Sequence, residues 1–127
     1  MRGYTSISAS ELKNWLDDGS IAIENLYAPT EDFVAANSDL DDEEIEFTLS
    51  MLAAQDWQSD ENEKYPLVAA LEIPADSIAD SSDGLISLNK DARWEYLECI
   101  FLVEGDGEEL TWFATQEVPE QLKTWLA

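Results

Sequence analysis

The sequence predicts an α+β fold: one domain of 127 residues with a mixed or antiparallel sheet of about five strands and helices packed mainly on one face. Three observations lead there. Short runs with alternating or continuous apolar residues, such as Leu67–Ile73 and Trp94–Val103, read as strands. The stretches around Leu12, Ile45 and Leu122 instead repeat apolar residues at helical spacing. Strands and helices are mixed without strict alternation, which argues against a doubly wound parallel sheet.

Taken in order, Tyr4 to Ile7 is a short extended run, followed by Ser8 and Ser10 as capping candidates. Leu12, Trp15 and Leu16 then recur at helical spacing, and Gly19 supplies a C-terminal stop. Ile21 to Ala28 alternates well enough for a second strand ended by Pro29, and Thr30 caps a short helix holding Phe33 and Val34 that Asn37 and Ser38 break.

The most distinctive element follows, an amphipathic helix over Asp39–Trp57. Ile45, Leu49 and Leu52 form its inward stripe, Phe47, Met51 and Ala54 widen it, and Asp39 is the expected N-cap. Six of the eight residues from Asp39 to Glu46 are acidic, and carboxylates at a helix start meet unpaired N–H groups and the positive end of the macrodipole.

Every residue from Gln58 to Lys64 is polar, as in a solvated loop. Leu67–Ile73, between Pro66 and Pro74, reads as a central strand covered on both faces. Ala75 to Gly84 is Asp- and Ser-rich and reads as a loop into which Ile78 tucks, and Leu85–Leu88 as a short edge strand. Trp94–Val103 is expected to form a hairpin with Leu110–Thr115 through a turn at Glu104–Glu108. Pro119 suits the first turn of a last helix with Leu122, Trp125 and Leu126 inward.

Charge is the outlier in composition. Twenty-nine acidic residues stand against six basic ones with no His, for a formal net charge of −23. That balance disfavours direct contact with nucleic acid or anionic lipid. No apolar run reaches the length of a membrane span and the N-terminus lacks the apolar region of a signal peptide, so a soluble cytoplasmic protein is expected. Cys99, the single cysteine, cannot form an intramolecular disulfide and lies in an apolar run, which predicts a buried inert thiol.

Four stretches resemble a known family. Leu110–Pro119 is similar to a C-terminal pattern of Trp, an aromatic, Ala-Thr-Gln-Glu, an aliphatic and Pro, and Tyr27–Thr30, Asp42–Phe47 and Val68–Pro74 agree with three further segments in order. The pattern resembles the mainly actinobacterial family called domain of unknown function 6912. Ser6 and Ser8 depart from the Pro and Thr of that family's first strand. The resemblance implies one domain in which the acidic helix start and the Thr-Gln-Glu segment belong to a shared fold, and it implies no activity.

Function must then be sought in side-chain chemistry. Without His, and with one Cys, zinc chemistry is strongly disfavoured, Ser-His-Asp and Cys-His catalysis are excluded, and no phosphate-binding glycine loop occurs. No cofactor or metal is expected: the acidic segments at 80–84 and 104–109 lack EF-hand order. Paired carboxylates of a hydrolase-like enzyme remain open, and Thr115, Gln116 and Glu117 form the best polar cluster, with Glu117 expected to be partly desolvated. The competing reading is backbone satisfaction at a strand-to-helix joint. The five tryptophans, Trp15, Trp57, Trp94, Trp112 and Trp125, are read as core or core-edge residues.

The acidic helix start is the leading candidate surface. Asp39, Asp41, Asp42, Glu43, Glu44 and Glu46 are expected to contact a basic, nucleic-acid-binding protein by charge complementarity, with an apolar residue as anchor. In its sharpest form this is DNA mimicry, with Asp39, Asp42, Glu43 and Glu46 in a row at helical spacing. The plain alternative is an acidic surface kept for solubility, with no partner. Oligomeric state is not readable from the sequence.

Overall fold

The computed structural model describes residues 1–56, 65–104 and 109–126. Among the described residues four helices and nine strands run β1 (Arg2–Ile7), α1 (Ala9–Asp18), β2 (Ser20–Ile21), β3 (Asn25–Tyr27), α2 (Glu31–Ala36), α3 (Asp42–Gln55), β4 (Leu67–Glu72), β5 (Ile78–Ser82), β6 (Leu85–Leu88), β7 (Ala92–Arg93), β8 (Leu97–Glu104), β9 (Glu109–Ala114) and α4 (Val118–Trp125). Seven strands form one antiparallel sheet in the order β5-β6-β3-β1-β4-β8-β9, and β2 pairs with β7 in a separate two-stranded sheet. The expectation of about five strands is therefore corrected upward, and the α+β class stands. Among the described residues no helix is long and apolar enough to cross a membrane.

Both faces of the sheet carry helices, which corrects the expectation of one covered face. The reason lies in β4. Leu67, Ala69 and Leu71 belong to a core with Leu12 and Trp15 of α1 and Leu122 and Trp125 of α4. Val68 and Ala70 point the other way into a second core with Ile45, Leu49 and Ala53 of α3. Period-two alternation serves both layers because every position from Leu67 to Leu71 is apolar and buried. As expected, β4 is an interior strand, lying between β1 and β8.

Local chemistry explains the ends of α1. Ser8 accepts from the Glu11 N–H at 3.1 Å while the Glu11 carboxylate accepts from the Ser8 N–H at 3.2 Å, a capping box. Gly19 ends the helix at φ 82°, where a residue with a Cβ is strained. Trp15 is fully buried, its indole N–H donates to the Ala92 carbonyl at 3.1 Å, and Trp94 meets it edge-on at 5.3 Å.

Three strand assignments differ from expectation. The run Ile21–Ala28 is split, because Ser20–Ile21 leaves the main sheet to pair with Ala92–Arg93 while Asn25–Tyr27 joins β1 and β6. The Asp/Ser-rich segment read as a loop contains an edge strand, β5, so β6 is not itself at the edge. Its hairpin turns on Asp83 and Gly84, at φ 54° and 81°, with Ser82 opposite Leu85. Two central residues with positive φ form the tight turn that Asp-Gly favours. Trp94–Tyr96, read as strand, form a 3-10 turn before β8. The expected hairpin of β8 and β9 is present, whereas its turn at 105–108, the polar loop at 58–64 and Trp57 lie outside the described residues.

The Asp83–Gly84 turn is tied to α2. Thr30 is fully buried, and its hydroxyl accepts from the Gly84 N–H at 2.8 Å and the Phe33 N–H at 3.4 Å while donating to Asp32 at 2.6 Å. Asp32 accepts from the Asp83 N–H with both oxygens, at 3.0 and 2.9 Å. The hydrogen bond from Thr30 and that from the Asp83 backbone hold the Asp32 carboxyl below its ordinary value. α2 thereby docks on the hairpin and delivers the chain toward α3.

Candidate functional site

The start of α3 sits where the chain emerges from the turn after α2. Asp41, not Asp39, is the N-cap: its carboxylate accepts from the Glu44 N–H at 2.8 Å, and Glu44 accepts in return from the Asp41 N–H at 3.3 Å. A Glu three residues after an Asp satisfies two orphan donors at once, which outcompetes an earlier start at Asp39. The helix consequently runs over Asp42–Gln55, and Asp39 lies in the turn before it.

This arrangement separates the six acidic candidates into three groups. Asp41 and Glu44 are engaged in the capping box, although both remain exposed. Asp39, Asp42 and Glu43 are exposed with no ion pair among the described residues. Glu46 is half-buried and belongs to the surroundings of Arg2 and Tyr4. Of the row Asp39, Asp42, Glu43, Glu46 expected of a DNA mimic, the last three lie on α3 and Asp39 lies in the turn before it.

Beside Glu43 and Glu44 stands an apolar side chain expected to widen the inward stripe. Phe47 is 55% exposed. The inward positions of α3 are Ile45, Leu49, Ser50 and Ala53, and Glu43 and Phe47, four residues apart, share the outer face. Leu40, Asp41, Glu43, Glu44, Phe47 and Thr48 line a shallow open groove of about 340 Å³. Leu52, Met51 and Ala54, expected in or beside the stripe, are half-buried.

Arg2 is the cation nearest in character to a core residue. Its guanidinium lies 5.7 Å from the Tyr4 ring centroid, 3.4 Å from Glu98 and 3.6 Å from Cys99 Sγ. Burial opposes its charge, yet Tyr4, Glu98, Cys99 and Glu46 together outweigh burial and raise its pKa. Burial also pushes the Tyr4 hydroxyl up to about 12, with Arg2 opposing and Glu46 adding. Cys99 is buried as expected, and burial raises its thiol pKa. The other described cations, Lys13, Lys90, Arg93 and Lys123, are each paired with a carboxylate away from α3.

The Thr115–Glu117 segment is a 3-10 turn leading into α4, in the layer opposite α3. Thr115 donates to the Leu97 carbonyl at 2.7 Å, fixing the strand-to-helix joint. Gln116 and Glu117 are exposed, so the partial desolvation expected at Glu117 is absent. Val118, Leu122 and Trp125 are the buried residues of α4, whereas Leu126, expected inward, is 43% exposed. An open cleft of about 380 Å³ between β1 and the 21–25 segment includes Glu11 and Glu24, of which Glu11 is committed to the α1 capping box. Among the described residues no group of three or more His, Cys, Asp or Glu is placed to hold a metal ion.

No protein-family model, curated protein or solved structure matches the chain.

Proposed function

We propose that the protein is a non-enzymatic, cytoplasmic interaction protein that engages a basic protein surface through the start of α3, and that it is a member of the domain of unknown function 6912 family. One observation carries the interaction reading: Glu43 shares a shallow groove with the exposed ring of Phe47 at a helix start where Asp39, Asp42 and Glu43 all lack ion pairs among the described residues. A solubilising surface needs charge but has no use for an exposed Phe, whereas an interface combines an aromatic anchor with a charged rim. Charge steers encounter and Phe47 slows dissociation.

The test compares capture of basic proteins by the native chain, by the triple variant Asp39→Asn, Asp42→Asn, Glu43→Gln, and by Phe47→Ser. Asp41 and Glu44 stay intact so that the helix start is kept. Both variants should lose the captured partner, and salt should release it from the native chain. Equal capture by all three proteins refutes the reading.

A further inference from the structure

A second surface lies at the far edge of the main sheet. α3 packs across β1, β3 and β4; on the same face Phe101 and Val103 of β8 are partly buried against its core cluster, and beyond them β9 carries the exposed Trp112. Phe101 stands opposite Trp112 and Val103 opposite Leu110, in the same facing set as Cys99 and Ala114. Trp112, expected in the core or at its edge, is 56% exposed, and Phe101, Val103 and Leu110 are only half-buried. β9 ends the sheet order, so among the described residues its outer backbone N–H and C=O groups have no neighbouring strand.

The opposite face of the same edge is electrostatically unfavourable as it stands. Glu104 is directly opposite Glu109, both are exposed, and neither has an ion pair among the described residues. Like charges in a direct cross-strand pair destabilise a sheet. Only the Thr111 hydroxyl, at 2.8 Å from Glu104, relieves the pair among the described residues. A cationic side chain placed beside both carboxylates would reverse the sign of that interaction.

We propose that β9 accepts an extended basic segment of a protein partner as an eighth strand, with its apolar side chains against Trp112 and its Lys or Arg side chains beside Glu109 and reaching across β9 toward Glu104. Period-two alternation sends those two side-chain classes to the two faces that demand them. A second copy of this chain is a poor occupant, because it would bring two Glu104–Glu109 pairs together between molecules of net charge −23 each. The inference rests on the reading of a basic partner but uses a different surface from α3.

The probe is a peptide of about ten alternating lysine and valine residues, with polylysine of equal charge as control. Hydrogen exchange is followed at the outward-pointing β9 amides of the full chain. The alternating peptide should slow their exchange and polylysine should not. Trp112→Ser and Glu109→Lys should each weaken peptide binding by about tenfold or more, whereas Asp42→Asn with Glu43→Gln should leave β9 protection in place. Equal protection by polylysine overturns the inference. So does binding lost in the α3 variant but kept in Trp112→Ser, a result that leaves the α3 reading standing. Sedimentation showing a dimer of the free protein that already protects these amides also overturns it, by assigning the edge to a second copy.

Discussion

Replacing Thr30 with Val tests how the hairpin, α2 and the approach to α3 are held together. Valine nearly matches threonine in shape, so the change removes the hydroxyl and little else. The buried Gly84 N–H, now bonded to Thr30 at 2.8 Å, would face a methyl group. Leaving such a donor unsatisfied costs about 1–3 kcal/mol. Losing an N-cap costs about 1 kcal/mol more, but Asp32 also accepts from the Phe33 N–H, at 2.9 Å, and retains part of the cap. The net loss should be about 2 kcal/mol, equivalent to a fall in Tm of about 6–10 °C for a domain of this size. Urea unfolding followed by tryptophan fluorescence measures it, with an unchanged m-value as the sign of a simple stability change. Thr30→Ser should recover most of the loss, since it keeps the oxygen. A Thr30→Val protein within about 0.5 kcal/mol of the native one would refute the clamp.

Three further outcomes are expected. Asp41→Ala should cost about 1 kcal/mol by breaking the capping box, whereas Asp42→Asn should cost about 0.5 kcal/mol or less, and unfolding curves of the two variants separate capping from charge. Tyr4, raised first by burial, and Tyr27, raised first by its hydrogen bond to Asp56, both titrate near pH 12 against an ordinary 10.0. The folded state therefore holds these protons more tightly, so the stabilisation is complete below pH 10 and is lost as pH rises toward 12; ultraviolet titration against urea stability at each pH checks both. Cys99 should react with a thiol reagent only on unfolding, at a rate that follows denaturant, since burial both covers it and disfavours its thiolate.

Helical periodicity and caps were the most legible parts of the fold. Gly19 and Thr30 are legible as caps, and Ser8 as one of two candidates with Ser10, because each cap depends on residues within a few places along the chain. The start of α3 was misplaced by two residues because six acids in eight positions offer several caps, and only the reciprocal Asp41–Glu44 pair decides among them. β5 was missed since its Asp and Ser residues suit a loop by composition, yet Asp83-Gly84 carried a hairpin signal that should have outweighed composition. Splitting of the 21–28 run was not legible, because it depends on the remote partner Ala92–Arg93. Spacing alone sets Phe47 beside the inward stripe and apolar context sets Trp112 in the core or at its edge; the exposure of Phe47 follows from which face of α3 meets the sheet, and that of Trp112 from the place of β9 at the end of the sheet order, both tertiary facts.

Those two exposed aromatics sharpen the functional account, since the acidic charge alone fits a merely solubilising surface equally well. Its central claim is that Phe47 and the carboxylates beside it touch a basic protein. Photo-crosslinking measures this most directly, with p-benzoylphenylalanine in place of Phe47 and, as control, in place of the exposed Leu85 on the β5–β6 hairpin. The account expects a discrete adduct from position 47 with a protein of net positive charge, lost in the Asp39→Asn, Asp42→Asn, Glu43→Gln background and at high salt. An adduct pattern at position 47 no different from that at position 85 would contradict it.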